Sequence, residues 1–139
     1  MKKFISQVIS LTLTLTLILC LAACEKVKSI DDPWKNAIFT EDAAIGEGSQ
    51  TFKLEVKVDG KSVELTISTD KETLGAALLE HGLIEGNGDG LYPKVNGMVA
   101  DYNTDKTYWG FYIDGQFAMQ GIDDTQIRDG ASYRLVKTK

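Results

Sequence analysis

Two runs of alternating apolar and polar residues, joined by Asp59-Gly60, constrain the fold of this chain more than any other feature. Every second residue is apolar from Phe52 to Val58, and the same period recurs from Val63 to Ile67. A period of two predicts strands with one buried face, and Asp-Gly between such strands is typical of a two-residue hairpin turn. The sequence therefore predicts an antiparallel hairpin that needs a covering layer on one side.

A helix directly after this hairpin would supply the layer. Thr69-Asp70-Lys71-Glu72 fits a capping box, in which the Thr and Glu side chains bond to each other's backbone amides. Leu74 and Leu78 then share one face, and Gly82 can take the left-handed position that ends a helix. We expect His81 to interact with the last carbonyls of this helix rather than with a ligand.

The remaining sequence predicts further strands, because three more turn dipeptides follow: Asn96-Gly97, Asp114-Gly115 and Asp129-Gly130. The order strand, strand, helix and then several strands is typical of an α+β fold. We predict a small β-grasp-like domain, in which a mixed sheet carries one covering helix and a long C-terminal hairpin.

That long hairpin, Tyr108–Ile113 with Gln116–Gln120, carries apolar residues on both faces. If Ile113 opposes Gln116 across the turn, opposed residues share a face. The predicted core face then holds Trp109, Phe111, Ile113 and Ala118, and the other face holds Tyr108, Gly110, Tyr112, Phe117 and Met119. Since the helix can bury only one face, the second face is either a binding surface or is covered by another segment, such as residues 34–39.

The loop before this hairpin has the spacing of the first half of a calcium loop. Glu85, Asn87 and Asp89 place oxygen ligands at alternate positions, and Gly90 follows the last of them. The first position of such a loop is usually Asp, and the twelfth, here Asn96, is usually Glu. A calcium site and a glycine-rich loop without a ligand are both consistent with this pattern.

The N-terminal residues indicate export and lipidation. Lys2 and Lys3 precede an apolar stretch from Val8 to Leu19, which is short for a membrane span and fits the apolar region of a signal peptide. Leu21-Ala22-Ala23-Cys24 resembles the bacterial lipoprotein box. We therefore predict cleavage before Cys24 and acylation of this cysteine, which would hold the protein to lipid at the extracytoplasmic face of the cell membrane.

The predicted organisation has three parts: a lipoprotein signal peptide over residues 1–23, a lipidated N-terminus with a flexible tether over residues 24–50, and one domain over residues 51–139. The tether is inferred from mixed charges and turn residues without a lasting period. Trp34, Ile38 and Phe39 are the exceptions, and the sequence leaves open whether they dock on the domain.

Several classes of function are disfavoured by composition. Cys20 would leave with the signal peptide and Cys24 would be lipidated, so no thiol remains for catalysis or zinc binding. Of 15 basic residues, Lys2 and Lys3 also leave, so 13 remain against 20 acidic ones, a formal net charge of −7. This balance argues against nucleic acid as a partner. No assembled acid, base and nucleophile is visible, so we predict a binding protein rather than an enzyme, with no required cofactor.

Five short motifs occur in the order found in the C-terminal β-domain of transcobalamin and intrinsic factor: Gly90-Leu91-Tyr92, Val95-Asn96-Gly97, Tyr108-Trp109, Met119-Gln120-Gly121-Ile122 and Asp129-Gly130. The chain resembles bacterial lipoproteins with a transcobalamin-like C-terminal domain, a family of unknown function. The resemblance implies a β-domain that contacts a corrinoid or another planar ligand. Two features of this chain differ from the animal proteins. We expect no room in it for the large helical barrel that encloses cobalamin from the other side. Gly110 follows Trp109 where the animal pattern has Gln.

The principal prediction is a membrane-anchored, extracytoplasmic lipoprotein that binds a small molecule, with a corrinoid as candidate, together with a transporter or surface protein. The candidate ligand-binding residues are Tyr92, Asn96, Tyr108, Trp109, Tyr112, Phe117 and Met119. Two alternatives stay open: a calcium-binding module that uses Glu85, Asn87 and Asp89, and a protein-interaction or adhesion module.

Overall fold

A six-stranded mixed sheet organises residues 32–139, the part of the chain that the computed structural model describes. Its strands, in chain order, are β1 (Ala43–Ile45), β2 (Gln50–Val58), β3 (Lys61–Thr69), β7 (Tyr108–Ile113), β8 (Gln116–Phe117) and β9 (Ser132–Thr138). In space the order is β1-β3-β2-β9-β7-β8. The pairs β1–β3 and β2–β9 are parallel, and the other neighbours are antiparallel.

A second, three-stranded sheet lies between the helix and the late strands in sequence. It consists of β4 (Ile84–Glu85), β5 (Lys94–Val95) and β6 (Met98–Val99), all antiparallel. The helices are α1 (Leu74–Glu80), the short α2 (Tyr102–Asp105) and a 3₁₀ helix at Pro33–Asn36. The predicted α+β class with a mixed sheet is confirmed, whereas the second sheet is an addition to it.

The first hairpin forms as its alternation predicts. Asp59 and Gly60 both have positive φ, 52° and 78°, as a two-residue turn of the mirror-image type requires. The apolar residues of both strands point into one core, which they share with Leu74 and Leu78 of α1. The helix therefore covers the sheet face that carries the alternating apolar residues, as the sequence predicts.

The start of α1 differs from the predicted capping box. Thr69 is the last residue of β3, and its hydroxyl accepts the Lys71 N–H at 3.0 Å. The N-cap is Thr73, whose hydroxyl accepts the Ala76 N–H at 3.3 Å. The capping box was wrong because Glu72 and Thr73 pair with the segment at Gln126 and Ile127, and Thr73 stays extended before the helix begins at Leu74. The predicted end is confirmed, since Gly82 has φ 66°.

The final hairpin is shorter than predicted. Tyr112 pairs with Phe117 and Ile113 with Gln116, which confirms the register. The return strand ends at Phe117 rather than Gln120, and the long partner of β7 is β9. Phe111 lies in the core, with Trp109, Ile113 and Ala118 packed against it, so the predicted core face is confirmed.

The predicted tether needs a correction over its described part, because residues from Pro33 onward pack on the domain. The Trp34 side chain is only 5 % exposed, and its indole N–H donates to the Val58 carbonyl at 3.2 Å. Strand β1 adds to the sheet beside β3, while Ile38 stays 53 % exposed. Apolar burial and strand pairing outweigh the polar composition on which the tether was inferred. Residues 1–31, including Cys24 and the signal peptide, lie outside the described residues.

Within residues 32–139, no helix is long and apolar enough to cross a membrane.

Docking of Trp34 predicts a large loss of stability on truncation. In the full chain, Trp34→Ala should lower the free energy of unfolding by about 3 kcal/mol or more, because a buried aromatic side chain leaves a cavity. Urea denaturation would measure the change. Ile38→Ala, in the same segment but exposed, is the matched control and should change it by about 0.5 kcal/mol or less. Equal effects of the two substitutions would contradict the docking of this segment.

Candidate functional site

An open cleft of about 590 Å³ lies beside the first residues of β7. Its walls come from three places: the loop after β4, the segment from β6 through α2, and β7 itself. Its aromatic lining residues are Tyr92, Tyr102, Tyr108 and Trp109, its acidic ones are Asp89 and Asp101, its apolar ones are Leu91, Pro93, Val99 and Ala100, and its polar ones are Asn87, Asn103 and Thr107.

The Pro93 carbonyl fixes the Trp109 side of the cleft. It accepts the Trp109 indole N–H at 3.0 Å and the Ala100 backbone N–H at 2.8 Å. One carbonyl thus connects the side chain of a large-sheet strand with both ends of the β5–β6 hairpin. The orientation of the indole is set by the protein before any ligand is present.

Asp123 fixes a second part of the cleft lining by holding Tyr92. The Tyr92 hydroxyl donates to Asp123 Oδ1 at 2.6 Å. Asp123 itself is held against α1, because the N–H groups of Leu74 and Gly75 donate to carbonyls of Thr125 and Ile122 in the same loop. Gly75 permits this approach, since a Cβ there would lie 2.2 Å from Asp123 Oδ1.

The Tyr92 phenol is kept protonated by this environment. Burial, the hydrogen bond to Asp123 and the negative charges of Asp123 and Asp89 raise the pKa of Tyr92 from 10.0 to about 12. Tyr92 therefore enters the cleft wall as a neutral aromatic ring whose hydroxyl is already engaged. This ring can contribute contact area to a ligand but does not act as a base near neutral pH.

Asp101 adds a negative charge to the lining of the cleft. It caps α2, accepting the Thr104 hydroxyl at 2.7 Å and the Asn103 N–H at 3.0 Å. Those donors, Thr104 first, lower the pKa of Asp101 below its ordinary value. Its neighbour Tyr102 contributes a ring to the lining, and Lys106 lies 4.9 Å from the centre of that ring.

The cleft brings together residues from both predicted sites. Tyr92, Tyr108 and Trp109 come from the predicted ligand site, and Asn87 and Asp89 come from the predicted calcium site. The two hypotheses therefore concern one place on the surface rather than two.

Asn96, predicted to contact a ligand, has a different position. It is 0 % exposed, and its side-chain amide bonds to the backbone N–H and carbonyl of Phe39, at 2.9 Å each. Its own backbone adopts φ 50° before Gly97, so it also forms the turn between β5 and β6. The N-terminal segment, which the sequence left unplaced, thus engages both the oxygen and the nitrogen of the Asn96 side chain, and Asn96 does not line the cleft.

Three other predicted ligand residues lie away from the cleft. Phe117 and Met119, 62 % and 94 % exposed, line a second groove of about 420 Å³ at the hairpin tip. Tyr112 packs edge-on against Phe117 with ring centres 5.7 Å apart. The second hairpin face is thus apolar as predicted but is divided between two separate surfaces.

The predicted calcium ligands are only partly together. Glu85 forms an ion pair with Lys94 at 3.1 Å and does not line the cleft. Asp89 Oδ1 accepts the Leu91 N–H at 3.0 Å in a local turn. Within residues 32–139, no three acidic, His or Cys side chains are close enough to share a metal ion.

Sequence reasoning missed several residues of this site. Asp101 and Tyr102 were not among the candidate residues, although Asp is a residue type that favours the N-cap of a helix. Asp123 carries no local signal, because its role depends on a loop that reaches Tyr92 across 31 residues of sequence.

The comparisons with known proteins concern this same region. Residues 76–132 match the family described as Domain of unknown function (DUF4430), a range that includes the whole cleft. The match covers less than half of the chain. No protein with a curated description matches the sequence.

Two solved structures are similar in fold to this chain. One is described as a "putative metal binding protein" from Ruminococcus gnavus ATCC 29149, with 21 % identity and a TM-score of 0.61 over 66 % of this chain and 98 % of that one. The other is haptocorrin in complex with Cbi, with 17 % identity and a TM-score of 0.50 over 68 % of this chain. The match spans 26 % of the haptocorrin chain. At these identities the likeness establishes the fold and not the ligand.

Removing the charge of Asp123 should lower the pKa of Tyr92. Asp123→Asn abolishes the negative charge beside the phenol, so the Tyr92 pKa should fall from about 12 toward 10.0. In the parent protein, an unfolded-state value near 10.0 and a folded value of about 12 mean that stability falls as pH rises through this interval. The titration is followed by NMR of ring-labelled tyrosine, with Tyr92→Phe for assignment.

Asp124→Asn is the matched control for this titration. It removes the neighbouring carboxylate, which forms no hydrogen bond with Tyr92. An unchanged Tyr92 pKa in Asp123→Asn would contradict the role of Asp123 and leave burial and Asp89 as the causes.

Proposed function

We propose that this chain is a non-enzymatic, ligand-binding lipoprotein whose cleft takes a planar organic ligand, with a corrinoid as the first candidate. The observation that carries the proposal is the pair of fixed aromatic walls. Trp109 and Tyr92 are both held by hydrogen bonds within the protein, at 3.0 Å and 2.6 Å. Side chains that are ordered before binding lose little entropy when the ligand arrives.

The size and lining of the cleft support a small-molecule ligand. A volume of about 590 Å³ lies within the range of small-molecule sites, about 300–1,000 Å³. Leu91, Val99, Tyr102 and Tyr108 line it and are exposed large apolar residues in the absence of a ligand. Covering them would remove apolar area from water, which favours binding. The fold shared with haptocorrin, solved with Cbi, supports a corrinoid as the first compound to test.

A partner protein completes this proposal. A corrinoid with its side chains is larger than the cleft, so part of it would remain outside. A transporter or surface protein can cover that part, and the exposed Phe117 and Met119 provide a separate apolar contact for it.

Corrinoid binding predicts different effects for two tyrosines of the same strand. Cobalamin and cobinamide should quench Trp109 fluorescence and shift the corrin absorption bands of the bound ligand. Tyr108→Ala should weaken binding by roughly tenfold, because it removes an aromatic wall. Tyr112→Ala should leave the affinity unchanged, since Tyr112 lies outside the cleft. Equal losses in the two variants would place the site elsewhere.

Calcium is the second candidate ligand, favoured by the description of the Ruminococcus gnavus neighbour and by Asn87 and Asp89 in the cleft. A rise in melting temperature with calcium that a chelator reverses, that Asp89→Ala abolishes and that no corrinoid reproduces would support calcium and reject the corrinoid.

Lipid anchoring is part of the proposal and has its own test. Cys24→Ser should abolish incorporation of labelled fatty acid and move the protein from the membrane fraction to the soluble fraction. Cys20→Ser is the matched control and should retain both properties, because this residue precedes the proposed cleavage site. Labelled lipid in the Cys24→Ser protein would reject acylation at this cysteine.

A further inference from the structure

We propose that the cleft selects organic cations, such as quaternary ammonium groups, over neutral or anionic ligands of the same shape. The inference rests on one part of the proposed function, small-molecule binding in this cleft, and not on the corrinoid, because it names the charge class of the ligand. It is carried by three features of the lining: the sign of its charges, its free acceptor atoms and its aromatic faces.

The charges of the lining have one sign. Asp89 and Asp101 belong to it, and no Lys, Arg or His does. Carboxylates on the walls of a concave, partly apolar surface create a negative potential inside it, since field lines are focused there. A ligand that carries a positive charge gains from this potential, and an anion of equal shape is repelled.

The two carboxylates differ in how their oxygens are used. Asp89 Oδ1 accepts the Leu91 N–H at 3.0 Å, while no described residue donates to Oδ2. Asp101 uses both oxygens for capping bonds, which keep it ionised. Asp89 can therefore contact a cationic group directly, and Asp101 contributes charge from a fixed position.

The aromatic lining suits a weakly hydrated cation. The faces of Tyr and Trp rings carry negative charge and attract ammonium groups within about 6 Å. The ammonium of Lys106 lies 4.9 Å from the centre of Tyr102, so this ring already engages a cation of the protein. Tyr92, Tyr108 and Trp109 are the lining rings that remain for a ligand cation. Among the described residues, Tyr92, Tyr108 and Trp109 make no ring–ring contact with each other.

The same lining is less suited to an inorganic divalent ion. Calcium requires about six to eight oxygen ligands at short distances. Within residues 32–139, no three acidic, His or Cys side chains lie close enough to hold a metal. A quaternary ammonium group needs no such shell, because its charge is spread over methyl groups that pack on aromatic rings.

Three probes of nearly equal shape isolate the charge: choline, its neutral carbon analogue 3,3-dimethylbutan-1-ol, and the anion 3,3-dimethylbutanoate. The full chain is kept in the uncharged detergent dodecyl maltoside, which carries no ammonium group. The two tryptophans of the chain give separate indole N–H signals in NMR. Trp109 lines the cleft and reports binding, whereas Trp34 is buried against Val58 and serves as internal control.

We expect choline to shift the Trp109 signal saturably and to leave the Trp34 signal in place. Its affinity should exceed that of the neutral alcohol by about tenfold or more, through cation–π and carboxylate attraction. Asp89→Asn should reduce this preference to about threefold or less, with unchanged affinity for the alcohol. Asp59→Asn removes an equal charge at the β2–β3 turn, outside the cleft, and should preserve the preference.

The outcomes separate this inference from the corrinoid proposal. Tyr108-dependent corrinoid binding with equal affinities for choline and the alcohol overturns cation selection and leaves the proposed function. Asp89-dependent choline binding without any corrinoid binding supports cation selection and rejects the corrinoid. A Trp109 shift with calcium and none with choline overturns the inference, and so does a Trp109 signal that no probe moves.

Discussion

The parallel pairing of β2 with β9 is the constraint on which the rest of this domain depends. β2 lies inside the sheet, between its hairpin partner β3 and the last strand of the chain. Leu54 opposes Tyr133 and Val56 opposes Leu135, and all four side chains are buried. Tyr133 also contacts Phe52 and Phe111, with ring centres 5.4 and 6.3 Å away. Because β7 pairs with β9 and not with β2, this register also fixes where the cleft residues Tyr108 and Trp109 stand.

The cleft is organised by hydrogen bonds from groups that do not themselves face a ligand. The Pro93 carbonyl holds an indole, Asp123 holds a phenol, and the backbone of α1 holds Asp123. Such supporting contacts reduce the conformational freedom that binding must remove. They also explain why the small second sheet is needed, since Pro93 and Ala100 sit at its ends and bring the two walls together.

Strand alternation and turn dipeptides correctly predicted the parts of the fold that depend on residues close together in sequence. The alternation around Asp59-Gly60 fixed both strands and their buried face, and Asp114-Gly115 fixed the hairpin register. The wrong or missing predictions for the site have a common cause, which is contact between residues far apart in sequence. Asn96 was predicted to contact a ligand, but its side-chain amide is hydrogen-bonded to Phe39, 57 residues away in sequence. The site residue Asp123 likewise acts on Tyr92 only after the sheet has formed, and no window of sequence contains both partners of these bonds.

The early end of β8 shows how one long-range contact can create a site. A return strand reaching Gln120 would have run beside Gly110 and Trp109 and occupied that edge of β7. The last bond to β7 is that of the Ala118 N–H to the Phe111 carbonyl, at 2.9 Å. Beyond it the Thr125 hydroxyl holds a loop together by donating to the Gly121 carbonyl at 2.8 Å and accepting from Gln120 at 3.3 Å. That loop then presents Asp123 to Tyr92. The same departure from a regular hairpin thus leaves the edge of β7 beside Trp109 unpaired by β8 and places Asp123 where it holds Tyr92. Both cleft residues therefore depend on the early end of β8.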